Sequence, residues 1–210
     1  MKRFFNKTVL FVAFVAVFVS CSKDENKKTI ASLKDAIIEE ANAKAKYAAF
    51  AEKATEEGYL DIANMFRAAS AAENLHFTSH NKALVKLGEP EFKPTAAAPT
   101  VNSTKENIQA SIANETEEFT TMYPNFISIA KKEKCEGAEE TFNLAKIAEE
   151  NHARRFSAAL EAIEGGDTPV SSVFYVCRRC GGMFIAHFAK CGLCQADTQL
   201  QYYEPLVFSH

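Results

Sequence analysis

Glu73-Asn74-Leu75-His76 and Glu149-Glu150-Asn151-His152 decide how this chain folds. Each sets a carboxylate and an imidazole three residues apart, on one face of a helix. Each also has an acidic partner upstream: Glu40 lies 33 residues before Glu73, and Glu115 lies 34 before Glu149, with Glu118 one turn on. The midpoint of Glu40 and Glu73 falls on Glu56-Glu57-Gly58, where the glycine can close a helix. Two antiparallel helices folding back there bring both carboxylates to one height, about 24 Å from the turn at 1.5 Å per residue. Glu115 and Glu118 straddle the height of Glu149 in the same way, reflected about residues 132–134.

Helical spacing of apolar residues extends outward from these motifs. Ile30, Leu33, Ile37, Ala41 and Ala48 mark a first helix from Thr29 to about Gly58. A second runs from about Leu60 to Leu87 and stops at Gly88 and Pro90. Residues 90–99 are too long for a tight hairpin and read as a crossing of the bundle end. Ser103 or Thr104 can cap a third helix reaching about Lys134, with a kink expected at Pro124. A fourth ends at Gly165-Gly166. Four or five carboxylates gathered inside such a bundle would repel one another and resist desolvation. Two divalent cations remove that objection, and oxygen-plus-imidazole ligation suits iron or manganese. His80, four residues after His76, is expected on the exposed surface.

The cysteines point to further chemistry. Cys177-Arg178-Arg179-Cys180 and Cys191-Gly192-Leu193-Cys194 form two Cys-x-x-Cys knuckles, whose four thiolates suit zinc or a single iron. Paired disulfides are the alternative in an exported protein, although bridges so local would hold nothing distant together. Fewer than about forty residues make this module, too few to fold comfortably without a staple. Cys135 has no other cysteine near it in sequence.

The chain has 210 residues, 47% of them hydrophobic and 24% charged, with 17 phenylalanines and no tryptophan. Lys2, Arg3 and Lys7 precede an unbroken apolar run, Val9 to Val19, that is too short to span a bilayer and reads as a signal peptide. Without residues 1–20 the chain carries 21 bases against 27 acids. No basic stripe invites nucleic acid. Ser20 before Cys21 resembles a bacterial lipobox, in which Cys21 is acylated and holds an exported protein at a membrane of the cell envelope through the lipid alone.

Taken together, Glu40-Ala41-Asn42-Ala43-Lys44-Ala45-Lys46-Tyr47, Glu56-Glu57-Gly58-Tyr59, Glu115-x-x-Glu118-x-x-x-Met122-Tyr123-Pro124 and Glu149-x-x-His152 resemble the rubrerythrins. The likeness spans about Thr29 to Tyr203. It implies a mainly α fold: a ferritin-like four-helix bundle over residues 29–166, then a small rubredoxin-like β/metal-knuckle domain over 173–210. Residues 21–28 are then a lipid-anchored tether and 167–172 a linker. By this resemblance Glu73 and Glu149 bridge two irons, Glu40 and Glu115 are terminal ligands, and His152 binds one iron. His76 and Glu118 exchange on the other, and Tyr47 and Tyr123 hydrogen-bond beside the site. Cys177, Cys180, Cys191 and Cys194 hold one iron, or zinc; Gly192 departs from the proline usual after the third cysteine. The implied activity is reduction of hydrogen peroxide to water in oxidative-stress defence. Electrons come from an unidentified donor through the four-cysteine iron, in a homodimer or larger assembly where one subunit serves the other. The alternatives are an oxygen-using ferroxidase or iron-handling protein, and a zinc-ribbon interaction protein with a structural metal in its bundle.

Overall fold

The computed structural model describes residues 26–166, 173–197 and 200–203. The signal peptide, Cys21 and residues 167–172 lie outside the described residues. Four long helical rods form the bundle. Helix α1 (Lys27–Glu56) turns at Gly58, whose positive φ of 85° suits a residue without a side chain, into α2 (Leu60–Lys86). Alanines at 36, 43, 51, 54, 63, 68, 69 and 72 are buried and let the two backbones approach closely.

The crossing that follows is tied down by asparagines. Asn81 accepts from the backbone N–H of Phe92 at 2.7 Å and donates to its carbonyl at 3.0 Å. Asn42 accepts from Ala97 N–H at 2.9 Å. Helix α3 (Thr104–Glu117) opens on a capping box in which Ser103 and Glu106 each accept the other's backbone N–H, a device worth about 1 kcal/mol.

The third rod is not one helix kinked at Pro124. Helix α3 gives way to a π-helical turn, Glu118–Met122, and α4 (Tyr123–Lys132) resumes beyond it. Pro124 has no N–H to offer the Thr120 carbonyl, and the Tyr123 N–H reaches back to Glu118 O instead. The proline therefore sits at the start of α4, and the irregularity lies just before it. Helix α5 (Glu136–Gly165) closes the bundle.

Two apolar clusters are separated along every rod by the polar residues of the motifs. One gathers Tyr47, Phe50, Ile62, Phe66 and Phe156; the other gathers Leu33, Ile37, Leu84, Phe126 and Phe142. Each such side chain contributes about 1.5–3 kcal/mol on burial, which is what pins the polar layer between them. Strands β1 (Phe174–Cys177), β2 (Met183–Phe184) and β3 (Leu200–Tyr203) make an antiparallel sheet in the order β2-β1-β3. Phe174, Val176 and Met183 of that sheet pack into the first apolar cluster. Met183 N–H also donates to Asn151 of α5 at 2.7 Å. No described helix is long and apolar enough to cross a membrane.

Candidate metal centre

The polar layer collects one acidic contribution from each rod: Glu40 of α1, Glu73 of α2, Glu115 of α3 and Glu149 of α5, each at most 2% exposed. Their atoms fall into two overlapping sets, Glu40, Glu73, His76 and Glu149, and Glu73, Glu115, Glu149 and His152. Within each set one ligand atom per residue lies within 4.8 Å of all the others. Glu73 and Glu149 belong to both. A pair of metal ions side by side, with those two carboxylates shared between them, matches this arrangement.

The two tyrosines cross between the halves. Tyr47 of α1 donates to Glu115 of α3, and Tyr123 of α4 donates to Glu40 of α1. Tyr47 follows Glu40 by seven residues, whereas Tyr123 follows Glu115 by eight. The π-helical turn absorbs that one extra residue, so both hydroxyls arrive at equivalent places.

The electrostatics call for cations. Burial alone would lower the His76 pKa, yet the carboxylates of Glu149 and Glu40 push it well above its ordinary value. Burial works against His152 in the same way, and Glu73 with the neighbouring acids outweighs it. Glu73 is raised, first by burial and then by Glu149. Burial also opposes ionisation of Glu40, but His76 and His80 hold it well below the usual carboxylate range. Without metal the carboxylates thus draw protons onto the imidazoles. Glu73 Oε1, Glu115 Oε2 and both oxygens of Glu149 are buried with no hydrogen-bond partner. His152 Nδ1 is 2.9 Å from Glu149 Oε2 but makes no hydrogen bond to it: the atoms are close without facing one another, as ligands around a shared centre are. Orphaned acceptors of this kind fit a pair of iron ions, and the centre is a di-iron site.

Glu118 stands outside both sets. It is 5% exposed and accepts from Asn114 Nδ2 at 2.7 Å. Burial, followed by the repulsion of Glu115, raises its pKa well above the ordinary value.

The knuckles form a second site. All four cysteines are unbridged thiols. Cys177 and Cys194 sulfurs lie 3.8 Å apart, and those of Cys180 and Cys191 3.7 Å. A tetrahedron of sulfurs about 2.3 Å from a central metal has edges of about 3.8 Å, so the thiols are spaced for a four-thiolate metal rather than for disulfides. The hydrogen bond with Cys180 lowers the Cys177 thiol to about 5, which favours the thiolate a metal needs.

The two sites touch. His76 Nε2 lies 2.8 Å from Cys180 O and His152 Nε2 lies 3.1 Å from Gly181 O. Both rings therefore face the carboxylates with Nδ1 and donate Nε2–H to the first knuckle's backbone, which fixes ring orientation in the manner of many metal-ligating histidines. Both contacts are made within the one chain.

Sequence reasoning misjudged His80. It is fully buried, not exposed: Nε2 is 3.0 Å from the Tyr123 hydroxyl and Nδ1 is 3.1 Å from Thr141 Oγ1. Its position was readable, because residues 73, 76 and 80 share one helical face. Asn114 and Thr141 carried no comparable signal.

Comparison with known proteins agrees with this geometry. A family model described as Rubrerythrin matches residues 32–160. Nigerythrin of Nitratidesulfovibrio vulgaris is 40% identical over 178 residues, covering 84% of this chain and 86% of its own. Rubrerythrin of Porphyromonas gingivalis is 31% identical over 185 residues, covering 87% and 92%. The solved structure of fully reduced, all-ferrous nigerythrin superposes with a TM-score of 0.78 at 36% identity, covering 83% of this chain and 86% of that one.

Proposed function

The chain belongs to the rubrerythrin family, and on that premise we propose that it reduces hydrogen peroxide to water at the buried di-iron site with electrons relayed from the four-cysteine iron. The family is one of di-iron proteins of oxidative-stress defence. The observation that carries the finer reading is the seating of the Cys180-Gly181 backbone on both His76 and His152. Only a hydrogen bond and one imidazole ring separate a thiolate ligand's own backbone from the carboxylate cluster.

Metals held by the carboxylate layer would supply two electrons together, and one held by Cys177, Cys180, Cys191 and Cys194 would supply them singly. The protein's part is to hold and shield. Glu73 and Glu149 are the bridging ligands in this reading, Glu40 and Glu115 the terminal ones, and His76 and His152 complete the two sets. Tyr47 and Tyr123 keep the terminal carboxylates oriented. Glu118, held aside by Asn114, is the alternative to His76 for the ion that Glu40 binds. The flanking phenylalanine clusters keep bulk water from the reacting oxygens.

A homodimer follows from family membership, and the knuckle contact can then be exchanged between subunits. The leader pattern ending at Cys21 supports anchoring of the exported chain by lipid; release of a Cys21→Ala variant from the membrane fraction tests it. For the activity, anaerobically reduced protein is mixed with peroxide or with oxygen in a stopped-flow cell. Peroxide should reoxidise the protein faster; faster reoxidation by oxygen would establish the ferroxidase alternative.

A further inference from the structure

Reduction of one peroxide consumes two protons as well as two electrons, and the cluster that performs it is closed to water by the phenylalanines around it. One hydrogen-bonded row of side chains nonetheless leads outward. A groove of about 380 Å³ between α2, α5 and the first knuckle is lined by Lys82, Lys86, Glu140, Arg178 and Arg179, and also by Thr141. Thr141 Oγ1 lies 3.1 Å from His80 Nδ1, His80 Nε2 lies 3.0 Å from the Tyr123 hydroxyl, and Tyr123 donates to Glu40.

The direction of these bonds follows from counting donors. Tyr123 has one hydroxyl proton, and it is on Glu40. Its oxygen can only accept from His80, so the imidazole proton sits on Nε2. Nδ1 is then the acceptor for the hydroxyl of Thr141. Every donor points from the groove toward Glu40.

We propose that Thr141, His80 and Tyr123 form a proton-delivery path from that groove to the di-iron site. A solvent proton bonds to Thr141 Oγ1 as the Thr141 hydroxyl proton passes to His80 Nδ1. The His80 Nε2 proton passes to the Tyr123 oxygen, and the Tyr123 hydroxyl proton passes to Glu40. Each of the three relay groups ends with as many protons as it began, and one proton has been delivered. Reorientation of the two hydroxyls and return of His80 to its first tautomer reset the path. His80 thus acts through Tyr123 as a relay residue, and its buried place beside an otherwise apolar cluster acquires a reason.

The proposal rests on the peroxidase reading, and its test separates the two. In iron-free protein, ¹⁵N NMR of the histidine rings should show the His80 proton on Nε2. Tyr123→Phe should abolish that single tautomer, whereas Thr141→Val should keep it. In iron-loaded protein, Thr141→Val and His80→Gln should keep their iron yet slow peroxide turnover about tenfold, the lower end of general acid–base effects, with a larger solvent deuterium isotope effect. Thr141→Ser should return to the unmodified rate. A His80 proton on Nδ1, or unchanged turnover and isotope effect in both slowing variants, would overturn the path while leaving the peroxidase intact. An unmodified protein without peroxide turnover would instead defeat the activity and, with it, the path's role, whatever tautomer His80 shows.

Discussion

His76 presents Nδ1 to the carboxylates of the di-iron site and Nε2 to the backbone oxygen of Cys180, 2.8 Å away, so a single ring joins the two metal sites. The next residue makes the approach possible. Gly181 has a φ of +82°, and a β-carbon there would run into the His76 ring. Gly181→Ala should therefore lift the knuckle from both histidines. Oxidation of the four-cysteine iron after peroxide is added should slow by about tenfold or more, the scale of lost outer-shell contacts. Metal content should be unchanged. Rapid mixing followed at the four-thiolate absorption checks this, and an unaltered rate would rule out the ring as the link.

Tyr47 and Tyr123 offer a paired test, because Tyr47 donates to Glu115 and Tyr123 to Glu40, each across to the opposite half of the bundle. Tyr47→Phe and Tyr123→Phe each remove a hydrogen bond to a charged group, worth about 1.5–3 kcal/mol. Ferrous affinity, measured by competition with a chelator, should fall by about 10–100-fold in either variant. The two losses should be similar, since the π-helical turn brings both hydroxyls to equivalent positions. A loss confined to one variant would contradict that equivalence.

The raised imidazoles give a pH signature. His76 and His152 have folded-state values well above the ordinary 6.5, so both still carry a proton at neutral pH in iron-free protein. Binding metal must expel those protons, and ferrous addition at neutral pH should release one from each ring, as read by pH-stat titration. The same shifts set the sign for stability. A raised folded-state value contributes stability that is complete below the unfolded value and is lost as pH rises through the folded one. Glu73 and Glu118 are raised too and act in the same sense. The melting temperature of iron-free protein should therefore fall as pH rises, from about 4.5 upward through the two carboxyls and more steeply from 6.5 upward through the two imidazoles, and iron should abolish that slope. A flat profile without iron would show that the carboxylates are not drawing protons to this layer.

Glu118 is buried, and burial followed by the repulsion of Glu115 raises its pKa well above the ordinary carboxylate value. Glu118→Ala removes a desolvated carboxyl whose hydrogen bond comes from Asn114 alone among the described contacts. The iron-free fold should be as stable as before, and iron should still load. Turnover with peroxide should slow by about tenfold, because the alternative to His76 is gone. Loss of iron from this variant, assayed by metal analysis, would make Glu118 a permanent ligand.

The bundle and the carboxylates and histidines gathered in its polar layer were legible because their signals are periodic. Glu73 with His76, Glu149 with His152, and upstream glutamates at matched heights can be read from spacing alone, and the knuckles from their cysteines. His80 was misjudged by residue type, although its place one turn beyond His76 on the ligand face argued for burial. The π-helical turn was hidden for a different reason: Pro124 signals a break, but where the backbone absorbs it depends on the rods packed around it. Docking of the knuckle on the histidines was invisible because main-chain oxygens make it, and every residue has one.

The most direct test is a single anaerobic mixing of fully reduced, iron-loaded protein with hydrogen peroxide, followed at the absorption of the ferric four-thiolate site. Peroxide should be consumed, and the absorption should appear at the rate of turnover as that site passes its electron inward through His76 and His152. A thiolate site that stays colourless while peroxide disappears would contradict the relay, and peroxide left unconsumed would contradict the activity itself.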